Sequence, residues 1–154
     1  MVYDMVELAG GDLRLRNTPS GASVVLRLPY RAAPNAAGGL ALLVEDSDEL
    51  RATFRDMLVD LGFAVIEATS VDEACALTAD LEEITLVLSD IRLEGEATGL
   101  DLLSRLKPDL PCILMTSLPQ NDPLHREAIT RGPVLHKPFS QAQLNALIRT
   151  EVTP

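Results

Sequence analysis

Short apolar runs that each end in a polar or charged residue, spaced along residues 40–137, constrain this chain more than any other feature. The run over residues 84–90, ITLVLSD, is rich in Ile, Val and Leu, lacks Gly and Pro, and stops at the carboxylate of Asp90. Its length suits a strand buried on both faces, so Asp90 is predicted at the strand's carboxyl end, where open α/β sheets place their chemistry. Residues 40–44 deliver Glu45 and Asp46 in the same way, residues 111–115 deliver Thr116 and Ser117, and residues 134–136 deliver Lys137. Parallel neighbouring strands would bring three carboxylates, a hydroxyl and an ammonium to one edge.

The segments between these runs carry helical spacing. Ser47 can cap a helix whose apolar positions are Leu50, Phe54, Leu58 and Leu61, closed by Gly62. Residues 63–67 read as a strand, and Ser70 with Glu73 forms a capping-box pattern before a helix that runs to about Asp80. Further helices are predicted over residues 99–106, 123–130 and 140–149. Five strands in alternation with helices imply right-handed crossovers and a parallel sheet covered on both faces. The predicted architecture is α/β, a flavodoxin-like doubly wound sheet of five strands in the order 2-1-3-4-5, with Asp46 and Asp90 as neighbours at its switch point.

Residues 1–31 do not fit this alternation. They read as a helix over residues 1–8 stopped by Gly10 and Gly11, a strand over 13–16, a turn over 17–21 and a strand over 23–28. One helix and one hairpin cannot bury a core alone. Residues 32–39, AAPNAAGG, have the composition of a flexible linker, so the expected division is an appendage at 1–31, a linker at 32–39 and a main domain at 40–154.

Charge narrows the functional classes. The net charge is −10, with residues 1–37 at +1 and residues 38–154 at −11, which argues against a nucleic-acid partner. No apolar run reaches the length of a membrane span and no leader pattern opens the chain, so a cytoplasmic protein without direct membrane contact is expected. Cys75 and Cys112 lie far apart in apolar segments and read as buried small hydrophobes. His125 and His136 read as surface and strand-face residues. Phosphate-cradling GxxxxGK[ST] and GxGxxG patterns are absent.

Clustered carboxylates need a cation to stay ionised together, and two or three acids open to solvent suit Mg²⁺, which keeps waters and takes phosphoryl oxygens. Lys137 offers a compact positive charge to a phosphoryl oxygen and Thr116 a hydroxyl donor. Phosphoryl transfer needs mostly alignment and charge neutralisation, and a carboxylate nucleophile would yield an acyl phosphate.

Val44-Glu45-Asp46, Asp90, Thr116 and Lys137-Pro138-Phe139, in this order over about 115 residues, closely resemble the response-regulator receiver family. The resemblance implies Asp90 as phosphoacceptor, with Asp46 as a direct Mg²⁺ ligand, Glu45 acting through water and the Arg92 carbonyl completing the ligands. It implies that Thr116 and Lys137 bind the phosphoryl oxygens and that the bond before Pro138 is cis. The chain departs from the family in residues 93–100, LEGEATGL, which lack the usual Pro and run one residue longer, and at Val134, where an aromatic is common. The longer loop is expected to be mobile, and Arg92 to reach over the site.

Ala9-Gly10-Gly11, residues 19–23 (PSGAS) and Leu28-Pro29 resemble the carboxyl-terminal end of the ATP-binding domain of sensor histidine kinases. That family's glycine-rich box, Asn-bearing helix and phosphorylated His segment are absent, so no ATP site is expected. Together the two resemblances imply a piece of a hybrid sensor kinase. Its expected partners are the kinase's phosphohistidine domain and a histidine phosphotransfer protein, with dimerisation through the hairpin edge. Its only catalysis would be its own phosphorylation and dephosphorylation, and its signal would leave by the fourth helix, fifth strand and fifth helix of the main domain. Two other readings are a receiver-like interaction module independent of phosphorylation and an Asp-nucleophile hydrolase. The hydrolase would need a second Asp where Arg92 stands.

Overall fold

The computed structural model describes residues 12–18, 21–27 and 38–152, and the chain divides into two compact units between Ala32 and Ala33. In the first unit, β1 (Asp12–Thr18) and β2 (Gly21–Arg27) form an antiparallel hairpin in the register Asp12 to Arg27 through Thr18 to Gly21. Pairing therefore runs closer to the turn on both sides than the sequence pattern suggested. The helix expected over residues 1–8 lies outside the described residues.

The second unit alternates β3 (Gly39–Val44), α1 (Asp48–Asp60), β4 (Phe63–Ala68), α2 (Val71–Asp80), β5 (Ile84–Asp90), α3 (Gly99–Arg105), β6 (Cys112–Thr116), α4 (Pro123–Arg131), β7 (Val134–His136) and α5 (Gln141–Glu151). Its five strands pair in parallel in the order β4-β3-β5-β6-β7. This is the doubly wound order expected from the sequence. Reversal of direction between β4 and β5 on either side of β3 opens a crevice at the carboxyl ends of β3 and β5.

Alternation along each strand sends side chains to two apolar layers. Leu40, Leu42 and Val44 of β3 join Val71 and Ala74 of α2, Leu100 and Leu102 of α3 and Ala128 of α4. Ala41 and Leu43 face the other way, toward Phe54 and Leu58 of α1 and Leu144 and Ile148 of α5. Strands buried on both faces explain why the runs read as continuous apolar stretches rather than alternating ones. Cys112 is buried in the first layer and Cys75 packs partly against it, and both are free thiols.

Helix starts follow the capping chemistry legible in the sequence. The Ser47 hydroxyl accepts from the Leu50 N–H, and the Ser70 hydroxyl accepts from the Glu73 N–H. The reciprocal arm of the Ser70 box is replaced by a bond from the Thr69 hydroxyl to Glu73. Helix α1 ends at Gly62, whose φ of +95° is a left-handed conformation that favours glycine. Leu50, expected on the apolar stripe of α1, is instead 38% exposed, because the core contact of this helix begins a turn later at Phe54.

Candidate functional site

Parallel register sets the site. Val44 pairs with Ser89, so Glu45, the first residue past β3, stands level with Asp90, the last residue of β5 and still paired with Met115 of β6, and Asp46 follows at once. Thr116 ends β6 beside His136 of β7, which brings Lys137 to the same edge. The Lys137 N–H donates to the Thr116 carbonyl at 2.8 Å, extending the ladder past the last strand. Residues drawn from four strand ends thus meet without any loop having to reach for them.

Glu45, Asp46 and Asp90 each place a carboxylate oxygen within 4.8 Å of the others. The Lys137 ammonium donates to Glu45 Oε2 at 2.9 Å and lies 3.1 Å from Asp90 Oδ2. Glu45 is 1% exposed; its other oxygen accepts from the Ser47 N–H at 3.2 Å. Burial pushes the Glu45 carboxyl above its usual range, against the pull of the Lys137 bond, and Asp90 adds to the rise. Asp90 is also raised, first by burial and secondarily by Asp46, with the Lys137 charge opposing. Such an all-oxygen, electron-rich set fits a hard divalent cation with open positions for water or a phosphoryl oxygen.

Aromatic packing and backbone hydrogen bonds frame the site. Phe54 and Phe139 stack with ring centroids 5.0 Å apart, and the Lys137 ammonium lies 5.7 Å from the Phe54 centroid, within cation–π range. Thr116 is buried and its hydroxyl accepts from the Leu118 N–H at 2.9 Å, leaving its own proton available to donate. The Lys137–Pro138 bond is cis, as expected. Arg51 donates to the Glu45 carbonyl at 3.1 Å while pairing with Asp48 at 2.6 Å, which fixes the backbone that presents the acids.

The loop after Asp90 is anchored at both ends. Leu93 is buried, Ala97 packs on the core, and Arg92 and Thr98 form an isolated antiparallel bridge. The Asp101 carboxylate accepts from both the Thr98 N–H and the Thr98 hydroxyl, starting α3 with a cap whose signature, a Thr three residues before an acid, stands in the sequence. A methyl group on Gly99 would collide with the Asp90 carbonyl oxygen, so this glycine lets α3 begin directly against the end of β5. Arg92, expected over the acids, has its guanidinium 3.8 Å from Asp122 at the start of α4.

Fold and site together define a receiver-type α/β domain with an acidic pocket at the switch point of its sheet. The sequence matches the response regulator receiver domain family over residues 41–149, and the chain belongs to that family, whose members serve two-component signalling. The alginate biosynthesis transcriptional regulatory protein AlgB of Pseudomonas aeruginosa is 34% identical over 110 residues, 69% of this chain and 24% of that protein. The chain therefore spans about a quarter of that relative's length. The signal receiver domain of a modulated diguanylate cyclase from Desulfovibrio desulfuricans G20 is 30% identical, with a TM-score of 0.66 over 74% of this chain and 93% of that one. NtrX from Brucella abortus is 28% identical with a TM-score of 0.66, covering 74% of this chain and 27% of its own. Among the described residues no helix is long and apolar enough to cross a membrane.

Proposed function

We propose that Asp90 is the phosphoacceptor of this receiver domain and that it takes a phosphoryl group from a phosphohistidine. The observation that carries the assignment is the placement of Asp90 at the sheet edge, 3.1 Å from the Lys137 ammonium and within a triad of carboxylates. An Asp90 carboxylate oxygen attacks phosphorus in line, the phosphorus–nitrogen bond breaks, and the imidazole leaves after regaining a proton. The product is an acyl phosphate. Asp46, Asp90 and the Arg92 carbonyl, with Glu45 behind them, would hold Mg²⁺, which would supply charge neutralisation to the transferring group. Lys137 and the Thr116 hydroxyl orient two of its oxygens.

The kinase-like pattern at residues 9–29 supports a setting in a hybrid sensor kinase, divided into a remnant at 1–31, a linker at 32–39 and the receiver at 40–154. On that reading the donor is the kinase's own phosphohistidine, the next acceptor is a histidine phosphotransfer protein, and the domain works on the cytoplasmic side.

Incubation of the chain with Mg²⁺ and acetyl phosphate, followed by intact mass measurement, tests the assignment. One phosphoryl group should be gained, and lost again when Mg²⁺ is withheld or Asp90→Asn is used. A gain that persists in Asp90→Asn would reject Asp90, and no gain at all would favour a receiver that works by contact alone.

A further inference from the structure

Asp46 is bracketed by a single residue of α1. The Arg51 guanidinium donates through Nη1 to the Glu45 carbonyl at 3.1 Å, and the Arg51 N–H donates to the Ser47 carbonyl at 2.8 Å. The carbonyls just before and just after Asp46 are therefore both held by Arg51. The Ser47 N–H closes the same turn on Glu45 Oε1 at 3.2 Å. Among the described residues no hydrogen bond or ion pair reaches the Asp46 carboxylate itself, so its direction is set by the backbone that carries it.

Helix propensity does not explain a cation at this position. Helix α1 begins at Asp48, and a positive charge near a helix N-terminus opposes the dipole. Helical side chains lean back toward the N-terminus, which carries the guanidinium to the turn, where it is only 17% exposed. Asp48 Oδ1 accepts from Nη2 at 2.6 Å, and Glu67 Oε2 of β4 lies 3.8 Å from Nε. These two acids offset a charge that would otherwise oppose a cation at Asp46. The planar fork lets Nη1 take a carbonyl while Nη2 takes a carboxylate, a fixed geometry that a flexible lysine stem does not reproduce. Arg55, one turn along, shares Glu67 at 3.3 Å, yet it pairs with carboxylates, Glu67 and Asp56, and not with the backbone of the turn.

We propose that Arg51 is a positioning residue for the cation pocket, holding the Asp46 carboxylate toward the ion through the carbonyls of Glu45 and Ser47. The proposal rests on the reading of Asp46 as a Mg²⁺ ligand and adds to it a residue that touches neither the ion nor the phosphoryl group. Charge and positioning predict opposite signs. A guanidinium acting only by its charge repels Mg²⁺, so its removal would tighten binding. A guanidinium that orients a ligand strengthens binding, and its removal loosens it, as loss of the partners behind metal ligands does.

The test uses the full chain, titrated with Mg²⁺ by calorimetry at a temperature well below the unfolding transition of every variant, while the backbone amide resonances of residues 44–47 are followed. Arg51→Met should weaken Mg²⁺ binding about tenfold and shift those resonances before any Mg²⁺ is added. Arg51→Lys keeps the charge and removes the fork; it should weaken binding too, and it decides the matter should Arg51→Met fail to fold. Arg55→Met, an equal loss of charge from the same helix, should leave Mg²⁺ affinity near that of the unaltered chain. Unchanged or tighter binding in Arg51→Met would overturn the proposal, as would full affinity in Arg51→Lys or an equal loss in Arg55→Met. Asp46→Asn separates the proposal from the reading beneath it. Binding lost in Asp46→Asn but normal in Arg51→Met overturns the positioning role alone, whereas normal binding in Asp46→Asn overturns the Mg²⁺ site and the positioning role together.

Discussion

Lys137 stands between two buried carboxylates, 2.9 Å from Glu45 and 3.1 Å from Asp90, and it is closer to the acid not assigned as acceptor. A single ammonium therefore holds the pocket together. Lys137→Met should leave Glu45 buried without its counter-charge, a change that costs about 3–5 kcal/mol when one partner of a buried pair is removed. Adding Glu45→Gln should restore part of that loss. Denaturant unfolding of the two single variants and the double variant in the absence of Mg²⁺ measures the coupling, and strict additivity would show that the pair is not what Lys137 stabilises.

The raised carboxyls set a pH dependence whose sign follows from burial. A carboxyl whose folded value lies above its unfolded one favours the protonated folded form. Its contribution is therefore fully present below the ordinary values of 4.5 for Glu45 and 3.8 for Asp90, and is lost as pH rises through the raised folded values. Protons compete with the cation over the same window. Mg²⁺ binding, followed by titration at a series of pH values, should begin to weaken at a pH above the ordinary carboxylate range. Weakening only at or below that range would mean the acids are ordinary in the folded protein.

Gly99 ties β5 to α3. Its N–H donates to the Ile91 carbonyl at 2.8 Å, and an added Cβ would strike the Asp90 carbonyl oxygen and lie 3.1 Å from the Ile91 Cα. Both are backbone atoms and cannot swing aside. Gly99→Ala should cost about 1–3 kcal/mol, as overpacking does, and should also slow phosphorylation because the displaced atoms carry Asp90. Thermal unfolding and acetyl phosphate uptake measured on the same sample check both effects.

Thiol chemistry should separate the two cysteines. Burial alone pushes the Cys112 thiol up to about 12, so almost no thiolate is present at neutral pH. An aromatic disulfide reagent should modify half-buried Cys75 in the native protein and reach Cys112 only on unfolding. Modification of Cys112 at the native rate of Cys75 would contradict its place in the core.

What the sequence made legible is what strand periodicity controls. Apolar runs buried on both faces announce themselves and point to the residue that follows, so the sequence pattern places Glu45, Asp46, Asp90, Thr116 and Lys137 at one edge. Features that depend on helix rotation or on backbone approach were not legible. Leu50 continues the apolar spacing of α1 yet lies outside the core, while His125, polar by type, lies inside it. Phe54 reads as core, and only the fold shows it stacked on Phe139 beneath the Lys137 ammonium. Arg92 follows Asp90 by two residues, but the Arg92–Thr98 bridge and the charge of Asp122 decide where its guanidinium goes.

Asp122 has two tasks that substitution can separate. One carboxylate oxygen caps α4 by accepting from the Leu124 N–H at 2.8 Å, and the other lies 3.8 Å from Arg92. Loss of a helix cap costs about 1 kcal/mol, whereas an exposed ion pair contributes roughly 0–1 kcal/mol. Arg92 is 63% exposed, so Arg92→Ala should change unfolding free energy by less than Asp122→Ala does. Asp122→Asn keeps an N-cap oxygen while removing the charge, and should fall near Arg92→Ala. Equal losses for Asp122→Ala and Arg92→Ala would mean that the ion pair, rather than the cap, anchors the start of α4.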